Sequence, residues 1–159
     1  MKRVFPKLAI SATVGTLLAS YPVLGQVLPP AKKAAHVKIT EGPALEMAID
    51  GLAIVRWTTT NPGGLDDHFG VVSYGTDPKN LSQTAKSPIR LNRSHLETIF
   101  RVRVGGLKPR TTYYYKVSST ESGGASDGVE SPVKQFTTPA PGERVFPYPP
   151  RNISTPRMN

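Results

Sequence analysis

The sequence predicts an all-β fold, an immunoglobulin-like β-sandwich of seven to eight short strands, on three observations. Runs of β-branched and aromatic residues recur between turn signals. The 159 residues contain 16 prolines and 14 glycines, too many breakers for a helical bundle. No stretch of helical period exceeds about two turns. The runs fall within residues 36–139, a length that suits one sandwich.

Val37 to Thr40 reads as a first strand ended by Gly42-Pro43. Leu45 to Ile49 and Leu52 to Thr59 flank Asp50-Gly51, a pair suited to a type I′ hairpin turn. In the second of these, Ala53, Val55 and Trp57 share the face expected to be buried, and Arg56 lies on the other. Asn61-Pro62-Gly63-Gly64 breaks the chain before a strand over His68 to Tyr74. Leu81 to Lys86 reads as a short edge strand. Leu96, Thr98, Phe100, Val102 and Val104 alternate with charged or exposed-type residues, the cleanest period-two run in the chain. Thr112 to Ser118 and Val133 to Thr138 complete the set, with glycine-rich Ser122 to Gly128 as a flexible turn between them.

Leu107, Pro109 and Tyr113 stand in the pattern Leu-x-Pro-x-Thr-x-Tyr. A tyrosine opening the penultimate strand can send its hydroxyl back to backbone near Leu107 and pin the crossover between sheets. With Trp57 as the core aromatic of an earlier strand, these four residues resemble the structural framework of a fibronectin type III domain. The likeness extends further. Val37-Lys38-Ile39-Thr40-Glu41-Gly42, Ile54-Val55-Arg56-Trp57-Thr58-Thr59, Val71-Val72-Ser73-Tyr74-Gly75, Tyr113-Tyr114-Tyr115-Lys116-Val117 and Gln135-Phe136-Thr137-Thr138-Pro139 are similar, in order, to the N-terminal domain of purple acid phosphatases. The resemblance implies a non-catalytic fibronectin-like sandwich. The metal ligands of that family's separate catalytic domain lie in Asp-x-Gly, Gly-Asp-x-x-Tyr, Gly-Asn-His and Gly-His-x-His motifs. None occurs here, so no catalytic residue carries over.

The flanks read differently. Lys2, Arg3 and Lys7 precede the apolar stretch Leu8 to Ala19, and Val23-Leu24-Gly25 offers small or modest side chains for cleavage. That order is a secretory signal over residues 1–25, with the mature chain starting near Gln26 and a secreted or periplasmic destination. The apolar run is shorter than the roughly 20 residues a spanning helix needs. No transmembrane span is expected after signal removal. Residues 26–35 read as a linker and 140–159 as a proline-rich, extended tail.

The net charge is +9, from 20 Lys and Arg against 11 Asp and Glu. Residues 36–139 hold 12 basic and 10 acidic side chains, leaving only +2 on the predicted domain. Specific nucleic-acid binding, which needs a basic face on a folded element, is therefore not expected. The absence of cysteine excludes a disulfide framework, a thiol nucleophile and thiolate-bound zinc. No Gly-x-Ser-x-Gly elbow or phosphate-binding loop is present. His68 follows Asp66 and Asp67, but three adjacent residues seldom converge on one ion. A solvated polar loop is the expectation there, with no metal and no cofactor.

A basic stripe is the remaining surface signal. Arg56, Arg90, Arg93, Arg101 and Arg103 are expected to point outward and offer an anion-binding surface, for an anionic polysaccharide, an envelope surface or an unknown protein. Solvated charges that protect a sheet edge are the alternative. The function expected is an exported, non-catalytic binding or structural module. An accessory or detached N-terminal domain of a phosphatase system stands as the alternative.

Overall fold

The computed structural model describes residues 31–147. The signal sequence expected over residues 1–25 and its expected cleavage point, residues 26–30 and the tail beyond 147 lie outside the described residues. Among the described residues nine strands form two antiparallel sheets: β1 (Ile39–Ile49), β2 (Leu52–Thr60), β3 (Asp67–Gly75), β4 (Gln83–Arg90), β5 (Glu97–Val104), β6 (Thr112–Glu121), β7 (Ser126–Glu130), β8 (Lys134–Thr137) and β9 (Arg144–Val145). One sheet has the order β5-β2-β1-β9 and the other β4-β3-β6-β7, with β8 also paired to β6. The fold is an all-β sandwich. Among the described residues no helix is long and apolar enough to cross a membrane.

Alternation decides which face is buried. In β5, Thr98, Phe100, Val102 and Val104 are buried while Glu97, Ile99, Arg101 and Arg103 are exposed. Trp57 of β2 sits directly opposite Phe100, and the rings stack with centroids 5.2 Å apart. Tyr113 and Tyr115 pack on Phe136 of β8, closing the other half of the core. Gly70 makes room for this packing, since a Cβ there would lie 2.9 Å from Val102 Cγ2 and 3.0 Å from Trp57 Cη2. Asp50 and Gly51 have φ of 43° and 76°, both positive as a type I′ turn requires, and Ile49 pairs with Leu52 across it.

Several boundaries differ from the sequence reading. The first two predicted strands are one strand, β1, which runs through Gly42-Pro43. Proline cannot donate to a ladder, and a register shift between Glu41 and Ala44 takes both residues out of the pairing. Gly42 has φ of 81°, and a Cβ on it would fall 2.9 Å from the Arg56 carbonyl oxygen. Leu96, the expected first core residue of β5, is 89 % exposed because it belongs to the preceding loop. The edge strand β4 covers Gln83–Arg90 rather than Leu81–Lys86.

The segment read as a flexible turn ends in β7, which shares the outer edge of β6 with β8. Alternation places Asp127 and Val129 inside, a signal too short to stand out beside three glycines. The flanks also join the fold. Gly64 donates to the Ala31 carbonyl at 3.0 Å, Ala34 to Pro62 at 2.7 Å, and β9 adds to β1.

Candidate anion-binding site

The five arginines read as one stripe do not form one surface. Arg56 is 5 % exposed, and its Nη1 lies 3.3 Å from Glu41 Oε2. It lies on the non-core face of β2, as expected, but β1 brings a carboxylate over it. Arg101 stands opposite Arg56 in the ladder and is held at 2.7 Å by Glu46 Oε2, also from β1. The bulges in β1 set these two glutamates beside two arginines that would otherwise repel. Arg103, opposite Ile54, is exposed, and its side chain makes no ion pair among the described residues. Arg90 and Arg93 lie at the end of the sandwich, where both reach Asp66, at 3.6 Å and 2.6 Å.

At that end three stretches meet: residues 31–38, the β2–β3 loop and the β4–β5 loop. Asn61 joins them. Its Nδ2 donates to the carbonyls of Asn92 and His95, both at 2.9 Å, and its Oδ1 accepts from Gly63 N at 3.0 Å. Its backbone N–H donates to Leu96 O at 2.8 Å. Asn92 Oδ1 accepts from Ser94 N at 3.0 Å, an Asx turn that shapes the second loop. Between the loops lies an open cleft of about 490 Å³. Lys32, His36, Lys38, Arg93 and His95 line it, with Asp66 as the acidic member.

The Arg93 hydrogen bond holds the Asp66 carboxyl below the usual range; burial opposes it, and the charges of Arg93 and Arg90 add to the lowering. Asp66 therefore offsets Arg93, while Lys32 and Lys38 make no side-chain ion pair among the described residues. The cleft is cationic, and Leu65 and Leu96 give it exposed apolar walls. Such a surface has the charge to attract an anion. Lys32, His36, Lys38 and His95 were missed by the sequence reading, because Lys32 was assigned to a linker, His36 and Lys38 to the start of the first strand, and His95 lies in the distant β4–β5 loop.

The sequence reading placed His68 in a solvated loop. It is instead fully buried, with Nδ1 3.0 Å from Asp127 Oδ2 and Nε2 3.0 Å from Leu65 O. Strand β7, unrecognised in the sequence, brings Asp127 to it.

Of the structural residues, Tyr113 does reach back to the crossover, and Leu107 is buried beneath it. Pro109 Cα lies in the same turn, its carbonyl accepting from Thr111 Oγ1 at 2.9 Å.

Residues 36–138 match the family described as Purple acid Phosphatase, N-terminal domain. No curated protein matches the chain. Among solved structures, a sensor domain of the anti-sigma factor RsgI4 in Pseudobacteroides cellulosolvens is 21 % identical, covers 65 % of this chain and 90 % of that one, and has a TM-score of 0.45. A solution structure of the same sensor domain is 18 % identical, covers 78 % and 89 %, and has a TM-score of 0.46. Neither likeness bears on function.

Proposed function

The chain belongs to the purple acid phosphatase N-terminal domain family, and from that premise we propose that it is an exported, non-catalytic module whose end cleft binds an anionic polysaccharide. The observation that carries this reading is the cleft itself. Lys32 and Lys38 face it without carboxylate partners among the described residues, beside His36, His95 and the Arg93–Asp66 pair. Positive charges spread along an open cleft suit a flexible anionic chain, because each contributes a little and no single anion must be fully desolvated.

Calorimetric titration with polygalacturonate, with neutral dextran as control, tests the reading. Polygalacturonate binds and dextran does not. The double variant Lys32→Gln/Lys38→Gln weakens binding by about tenfold, while Arg101→Gln leaves it unchanged. Equal binding of both polymers, or loss confined to Arg101→Gln, contradicts the proposal.

The family match favours a second reading, an accessory to a separate phosphatase chain. Co-elution with a metallophosphatase encoded by a neighbouring gene supports it, and separate elution at micromolar concentrations removes it.

A further inference from the structure

We propose that His68, Glu121 and Asp127 form a divalent-cation site of the zinc type at the rim of the second sheet, separate from the anion cleft. Topology brings the three together. His68 near the start of β3 pairs directly with Glu121 at the end of β6, and β7 lays Asp127 beside them. One ligand atom from each lies within 4.8 Å of the others.

The hydrogen bonds point the same way. A carbonyl oxygen only accepts, so Leu65 O at 3.0 Å requires a proton on His68 Nε2. In the neutral ring this leaves the Nδ1 lone pair facing Asp127 Oδ2 at 3.0 Å. Two lone-pair atoms in that position need a cation between or beside them, a proton or a metal ion. A backbone carbonyl on one ring nitrogen is also how a metal-binding imidazole is oriented for use of the other.

Asp127 supplies an independent observation. Its side chain is fully buried, and Oδ2 already accepts from Ser119 Oγ at 2.7 Å. Its second oxygen, Oδ1, is buried with no hydrogen-bond partner among the described residues. A buried carboxylate oxygen left unpaired is costly, and a coordinated cation removes that cost. One imidazole nitrogen and two carboxylates are ligand types that zinc takes.

Lys33 covers the site. Its ammonium lies 3.3 Å from Glu121 Oε1 and donates to Ser126 O at 3.2 Å. It occupies the carboxylate that the metal would use, so cation binding displaces it. The sequence argument against a metal rested on Asp66 and Asp67 as the neighbours of His68. Asp66 instead binds Arg93, and the partners of His68 come from β6 and β7.

The test is zinc titration of the chelator-treated chain by calorimetry, with magnesium as control, metal analysis after gel filtration, and nitrogen NMR of the histidine rings. The expected result is one zinc per chain, a raised melting temperature and a shift of His68 Nδ1. Glu121→Gln, at the exposed side of the site, weakens zinc binding at least tenfold, and Lys33→Ala strengthens it. Absence of retained zinc in the folded wild type overturns the proposal. So does zinc that shifts only His36 and His95, or that binds Glu121→Gln as it binds the wild type.

Discussion

The backbone N–H of Lys108 donates to the Tyr113 hydroxyl at 3.0 Å, so the phenolic oxygen is the acceptor of the bond that pins the crossover into β6. The ring below it stacks on Phe136, with centroids 5.9 Å apart. Tyr113→Phe therefore keeps the packing and orphans a backbone donor. The expected loss is about 1–3 kcal/mol in urea unfolding. Tyr114 faces the other side of β6, and Tyr114→Phe should be near neutral. Equal losses in the two variants would remove the structural role given to Tyr113.

Trp57 is fully buried, but its Nε1 has no hydrogen-bond partner among the described residues. Its contribution is thus packing. Trp57→Ala should cost roughly 3–5 kcal/mol, comparable with the whole stability of a small domain. Trp57→Phe should cost clearly less. Equal costs in chemical denaturation would mean that the indole nitrogen has a role this packing does not account for.

Gly70→Ala inserts a methyl group against the Val102, Trp57 and Phe100 side chains. Overpacking of this kind should cost about 1–3 kcal/mol. An unchanged melting temperature would show that the core has slack at this point.

Burial pushes the Tyr115 phenol up to about 12 from its ordinary 10.0. The folded state thus holds the proton more tightly than the unfolded chain. That contribution is complete below pH 10 and is lost as pH rises from about 10 to about 12. Denaturation curves across this range should be steeper in pH for the wild type than for Tyr115→Phe. The same slope in both would contradict it.

Asp66 has the opposite sign. Its carboxyl is held below its ordinary 3.8, chiefly by the Arg93 hydrogen bond. Its contribution is present above the unfolded value and disappears as pH falls through the lower folded one. Asp66→Asn should flatten the acid limb of the stability curve and, by removing the carboxylate that offsets Arg93 and Arg90, tighten polyanion binding. Weaker polyanion binding in this variant would count against an electrostatic site.

The core was legible because its signals are local and periodic. Phe100, Val102 and Val104 alternate along one strand, Asp50-Gly51 demands its own turn, and the Leu107 to Tyr113 spacing specifies a crossover. The candidate sites were not, because they are made by pairing between distant segments. Arg56 looks like a surface cation until β1 lays Glu41 across it. His68 looks solvated until β7 delivers Asp127. Lys32 looks like linker until Ala31 and Ala34 bond to the β2–β3 loop.

The central claim is that anions are bound at the end cleft and not across the arginines of β2 and β5. Amide NMR mapping during polygalacturonate titration tests it most directly, at low salt and again at about 0.5 M, where the Debye length falls to a few ångströms. The account predicts shifts confined to residues 31–38, 60–66 and 91–96, vanishing at the higher salt. Shifts centred on Arg101 and Arg103, or a salt-independent response, would contradict it.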